Sequence, residues 1–92
     1  MKVKDPEYHY KLWLKIRDTW MIEQQEICKS KLLKCAICGK DGLDPFTEKL
    51  GDLATIDHIL PVSKYPDLWR EPTNFQVACN KCNNKKGNKV KT

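Results

Sequence analysis

A chain of 92 residues, 40% hydrophobic and only 9% aromatic, supports one domain that buries about 60 to 70% of the surface its unfolded form exposes, and so thin a core generally needs a staple. The 17 Lys and Arg against 12 Asp and Glu leave a net charge of +5, compatible with a polyanionic partner and equally with plain solubility. No apolar run is long enough to cross a bilayer, and no basic start followed by an apolar stretch and a cleavage site opens the chain. Neither secretion nor membrane insertion is expected, and the expected compartment is a reducing cytoplasm.

Taken in chain order, residues 5–34 read as a helix. Asp5 can cap it, Pro6 suits the first helical position and Glu7 the positive end of the dipole. Leu12, Trp13, Ile16, Trp20 and Ile27 recur at three- and four-residue steps and should face inward, with Cys28 near the inward edge as a small buried hydrophobe. His9 is expected to be exposed. CAICGKDGLDPFTE, with two glycines and a proline, has the turn chemistry of a tight knuckle, in which Asp41 and Asp44 are turn residues. Thr55, Ile56 and Ile59 predict a short strand over 55–60, ended by Pro61. The segment 62–74, with Pro66 and Pro72, reads as a loop whose Trp69 plugs onto the core. FQVAC then reads as a returning strand and NKCNNKK as the start of a terminal helix. The fold class is α+β: a single domain over 1–92, with the helix at 5–34, a clamped unit at 35–87 and a basic tail at 88–92.

Four of the five cysteines form two C-x-x-C pairs, Cys35 and Cys38 in CAIC, Cys79 and Cys82 in CNKC. In a reducing compartment such pairs read as thiolate ligands, and four of them satisfy a tetrahedral zinc ion with no open position for substrate. Other cysteine chemistries fit poorly. A thioredoxin-like site uses one pair in a βαβ pattern. A zinc-dependent deaminase needs H-x-E, whereas Ile59 and Leu60 follow His58. The zinc is therefore expected to be structural.

The polar residues between the clamps are patterned too. TIDHILP sets Asp57 beside His58 at a strand end, Asn74 opens the next strand, and Asn83 follows the last cysteine of CNKCNNKKG. Neighbouring strand residues point to opposite faces, so Asp57 and His58 can serve one site only where the strand ends or twists. CAIC, DHILP, the asparagine of TNFQ and CNKCNNKKG, in that order over residues 35–87, resemble the HNH endonucleases. The resemblance implies the ββα-metal fold, also called the His-Me finger, here preceded by a long helix. It implies further that Asp57 and Asn83 bind the catalytic divalent ion, that His58 is the general base, and that Asn74 orients the histidine or its loop. Many members carry histidine where this chain has Asn83; an amide oxygen beside a carboxylate favours Mg²⁺ or Mn²⁺, with magnesium expected. The implied substrate is DNA, cut to 5′ phosphate and 3′ hydroxyl ends. Lys85, Lys86 and Lys89, in a stretch without acids, are expected to hold its backbone. Many members also have glycines between the histidine and the central asparagine, and this chain has none from Leu53 to Lys86.

Two rivals belong to other classes: a zinc-stapled DNA-binding module without catalysis, and a zinc-stabilised protein-interaction domain. Small free-standing members of the resembled family occur in bacteria and phages. So small a chain is also compatible with a homodimer or a larger nucleic-acid-processing complex.

Overall fold

The computed structural model describes residues 6–87. Helix α1, Pro6–Cys28, is followed by strand β1, Ala54–His58, strand β2, Phe75–Cys79, and helix α2, Asn80–Gly87. The fold is α+β. The two strands pair antiparallel in the register Ala54↔Cys79 to His58↔Phe75.

Helix α1 stops at Cys28, not at residue 34. Lys29 takes a left-handed conformation at φ 54°, its N–H bonds Glu26 O at 3.2 Å, and the N–H of Ser30 bonds Gln25 O at 3.0 Å. These two bonds close a Schellman cap, which satisfies carbonyls that a helix end would leave bare. The chain then turns so that Leu33 and Leu43 exchange backbone bonds at 2.7 and 2.9 Å, with both side chains buried. A helix running on to 34 would forfeit that pair.

The inward stripe is correct in its first three turns and wrong in its last. Trp20 and Met21 are buried, and Trp13 and Ile16 pack half-buried against the core. Ile27 is 73% exposed, and Cys28 is exposed rather than buried, because the last turn of α1 overhangs the end of a small core. Asp5 lies outside the described residues. Arg17 fastens the helix to the rest: Nη2 donates to Ala54 O at 2.9 Å and also to Pro45 O, while Nη1 meets Asp18 at 2.9 Å.

The first knuckle turns through Gly39 at φ 81°, a conformation glycine adopts without steric penalty. Gly39 N–H bonds Cys35 O, and Ala36 N–H bonds Val77 O at 2.8 Å, tying the knuckle to β2. Strand β1 ends at His58, two residues earlier than expected. Beyond it, Ile59 N–H still reaches Asn74 O, its partner in register, at 2.8 Å, but Asn74 N–H turns back to Glu71 O at 2.8 Å and the ladder stops. The loop to β2 contains two 3-10 turns, Pro66–Leu68 and Pro72–Asn74, each with proline in its first position, where a missing N–H matters least. Among the described residues no helix is long and apolar enough to cross a membrane.

Candidate active site and metal centre

The two C-x-x-C pairs meet. Their four sulfur atoms all lie within 4.8 Å of one another, and Cys38 Sγ stands 3.8 Å from Cys79 Sγ. A tetrahedron with Zn–S bonds near 2.3 Å has sulfurs about 3.8 Å apart, so the cluster suits zinc. Backbone N–H groups of Ile37 and Cys38 point at Cys35 Sγ, both at 3.4 Å, and that of Cys82 at Cys79 Sγ at 3.5 Å. Burial pushes the Cys35 thiol up, but backbone N–H groups of Cys38, Cys79 and Ile37 outweigh it and bring the pKa down to about 6. Cys82 is pushed the other way, to about 12, chiefly by sharing a hydrogen bond with Cys79. Sulfurs this close share protons until a dication replaces them.

Alternation along β1 turns Thr55 and Asp57 toward α2. Asp57 is buried, 5% exposed, and its Oδ2 accepts from Gln76 Nε2 at 2.7 Å and from Lys86 Nζ at 2.8 Å. The same ammonium donates to His58 O at 3.0 Å. Asn83, one turn before Lys86 on α2, donates from Nδ2 to Thr55 Oγ1 and to Ile56 O, both at 2.9 Å. Because Thr55 Oγ1 gives its own proton to Ala78 O and a carbonyl can only accept, the amide nitrogen must face the strand and Oδ1 must face away. Among the described residues neither Asn83 Oδ1 nor Asp57 Oδ1 has a hydrogen-bond partner. Two hard oxygen donors are thus uncommitted.

His58 lies on the opposite face of β1. Trp13 of α1 stacks on its ring, with centroids 5.6 Å apart at 30°, and Phe75 meets it edge-on at 5.4 Å. Its Nε2 is 2.8 Å from Trp69 O. A carbonyl has no proton to give, so Nε2 carries a hydrogen, and the tautomer this selects has its lone pair at Nδ1. Asn74, buried at 5% exposure, clamps the chain just after His58. Its Oδ1 accepts from Leu60 N at 2.8 Å and its Nδ2 donates to Leu60 O at 3.1 Å.

The four side chains predicted to carry chemistry therefore divide between two faces. Asp57 faces α2, from which Asn83 reaches back to β1; His58 faces α1, with Asn74 behind it. The strand ends at His58, as a shared site would need, and the His58 carbonyl links the faces through Lys86. Lys85 is exposed and lines a groove with Lys40 and Lys81 beside the cysteines. Lys86 is held on Asp57, and Lys89 lies outside the described residues. Sequence reasoning missed Gln76, Trp13 as the cover of the imidazole, and the Trp69 carbonyl. Gln76 follows from the strand register once Ala54 is paired with Cys79; the other two depend on how α1 and the loop dock.

The sequence model of the HNH endonucleases matches residues 35–89. The chain belongs to the HNH endonuclease family. No curated protein and no solved structure gave a match. Membership points to a nuclease or DNA-binding role, with DNA as the substrate the family implies. It also divides the molecule usefully, since the HNH segment holds both knuckles, both strands and α2, while Trp13 and Arg17 reach it from α1, outside the matched residues.

Proposed function

We propose that the protein is a metal-dependent DNA endonuclease. What supports this most is the setting of His58: a ring stacked against Trp13 and met edge-on by Phe75, with Nε2–H committed to a carbonyl, so that Nδ1 is the one nitrogen free to take a proton. His58 Nδ1 accepts the proton of a water molecule, which attacks phosphorus in line with the 3′ oxygen. Asn74 holds the loop behind the histidine, and the products carry 5′ phosphate and 3′ hydroxyl groups. Asp57 Oδ1 and Asn83 Oδ1 would hold Mg²⁺ or Mn²⁺, ions that prefer hard oxygen donors. Such an ion, when bound, supplies stabilisation of charge on the phosphate and on the departing oxygen.

The four cysteines carry a structural zinc ion, closed to substrate. Thiolate ligands of this kind suit a reducing compartment such as the cytoplasm of a bacterial or phage-infected cell. Lys85 and Lys89 contact DNA phosphates, and the chain works as one domain, with α1 as part of the site.

One observation favours a non-catalytic DNA-binding module instead. The Lys86 ammonium already neutralises Asp57, which would make a divalent ion redundant. Incubating supercoiled plasmid with the zinc-loaded protein, with and without Mg²⁺ or Mn²⁺, separates the two. Nicked or linear product that needs the divalent ion is the expected result, and His58→Ala should slow its formation by about 10² to 10⁴-fold. Plasmid that is retained on the protein but stays intact throughout would favour the binding module.

A further inference from the structure

Lys86 was expected on DNA and is found on the carboxylate, and its surroundings explain how both can hold. Its ammonium meets three oxygens: Asp57 Oδ2 at 2.8 Å, His58 O at 3.0 Å and Ile59 O at 3.5 Å. One carboxylate and two carbonyls are the kind of oxygen set that holds a cation. The side chain of Asp57 is 6% exposed while that of Lys86 is 33% exposed, so the carboxylate is fixed and the lysine has a way out. A flexible four-carbon stem lets the ammonium leave without moving the helix.

Lys86 also sits three residues after Asn83 on α2, which puts the two side chains on neighbouring positions of one helical face. A divalent ion held by Asp57 and Asn83 would sit close to the ammonium. Like charges at that range repel, and an ion on Asp57 Oδ1 would share a single carboxylate charge with the ammonium on Oδ2. From these contacts we infer that Lys86 and the divalent ion are alternative partners of Asp57. Lysine satisfies the buried carboxylate until the ion arrives, and loading the ion releases the ammonium toward the surface, where a phosphodiester group can take it. Metal loading and the appearance of a DNA-binding cation are then one event. The inference rests on the metal reading of Asp57 and Asn83 given above.

The test is Mn²⁺ binding by zinc-loaded protein without DNA, followed through the electron paramagnetic resonance signal of free Mn²⁺. If the ammonium holds the carboxylate nine-tenths of the time, the apparent affinity is lowered by about tenfold, so Lys86→Met should bind Mn²⁺ about tenfold more tightly than the natural chain. A second measurement needs no variant: acylation of the Lys86 amine, read by peptide mass spectrometry, should become several-fold faster when Mn²⁺ is bound. Equal Mn²⁺ affinity in both proteins, with Lys86 acylated at the same rate with and without the ion, would overturn the exchange and leave the metal site standing. Failure of both proteins to bind Mn²⁺ would overturn the metal site, and the exchange with it.

Discussion

At the scale of single residues, the candidate site is organised by which atoms are already committed. Asn83 shows this best, since its amide nitrogen is bonded to Thr55 and Ile56 and only its oxygen is left to act. Asn83→Asp keeps shape and oxygen but loses both donors, and it turns a carboxylate oxygen toward the Ile56 carbonyl. Unpaired polar groups of this kind cost about 1 to 3 kcal/mol. Urea unfolding of the zinc-loaded variant should show that loss, even though aspartate is the better metal ligand. Undiminished stability would mean that the amide faces the other way. The identities of these residues were legible in the sequence, because Asp57, His58, Asn74 and Asn83 fall in motif order around the two cysteine pairs. Their commitments were not. That Lys86 bonds Asp57 rather than facing solvent depends on where a flexible side chain ends, and no spacing rule encodes that.

At the scale of elements, the HNH segment relies on a helix outside it. Helix α1 covers His58 with Trp13 and pins β1 through Arg17, whose fork reaches Ala54 O and Pro45 O from Nη2 and Asp18 Oδ1 from Nη1. Lysine, with one terminal nitrogen, cannot match that geometry, and methionine keeps the stem while removing every donor. Hydrogen bonds to charged groups contribute about 1.5 to 3 kcal/mol, so Arg17→Met should lower stability by about that much. If α1 positions the base, cutting should fall further than DNA affinity does, a difference visible as a drop in kcat at nearly constant KM. A change confined to KM would place α1 in DNA binding instead. The helix itself was legible from its apolar stripe over Trp13, Ile16 and Trp20, and FQVAC was read as β2 with its observed ends. The C-terminus of α1 was not legible, because Lys29 takes the left-handed position where glycine is the usual signal. Nor was the end of β1, since it is set by Asn74, sixteen residues beyond His58, whose N–H turns back to Glu71 O and whose side chain clamps Leu60.

At the scale of the whole molecule, the cysteine cluster joins the two halves of the clamped unit across the forty residues between Cys38 and Cys79. Cys35 and Cys79 are themselves buried in the core, so the cluster is part of what holds β2 in place, whereas Met21, Leu43 and Pro45, fully buried like Cys35, lie on α1 and the first knuckle segment. Stripping zinc with a strong chelator should therefore undo the β1, β2 and α2 unit first, with loss of the tryptophan near-ultraviolet signal as Trp13 and Trp20 part from Phe75. The thiol pKa values give a sharper prediction about reloading. Ligation needs thiolates, so every sulfur still protonated releases its proton when zinc binds. Cys82, held up at about 12, releases one throughout the neutral range. Cys35, brought down to about 6 from 9.0, is a thiol at pH 5 and a thiolate at pH 8, so it releases a proton only at the lower pH. Calorimetric titration of zinc in buffers of different ionisation enthalpy should find about one proton fewer released at pH 8 than at pH 5. Zinc affinity should accordingly rise less steeply with pH above about 6 than below it. A proton count that stays constant across that interval would show that the backbone N–H groups around Cys35 do not hold it as a thiolate before the metal arrives.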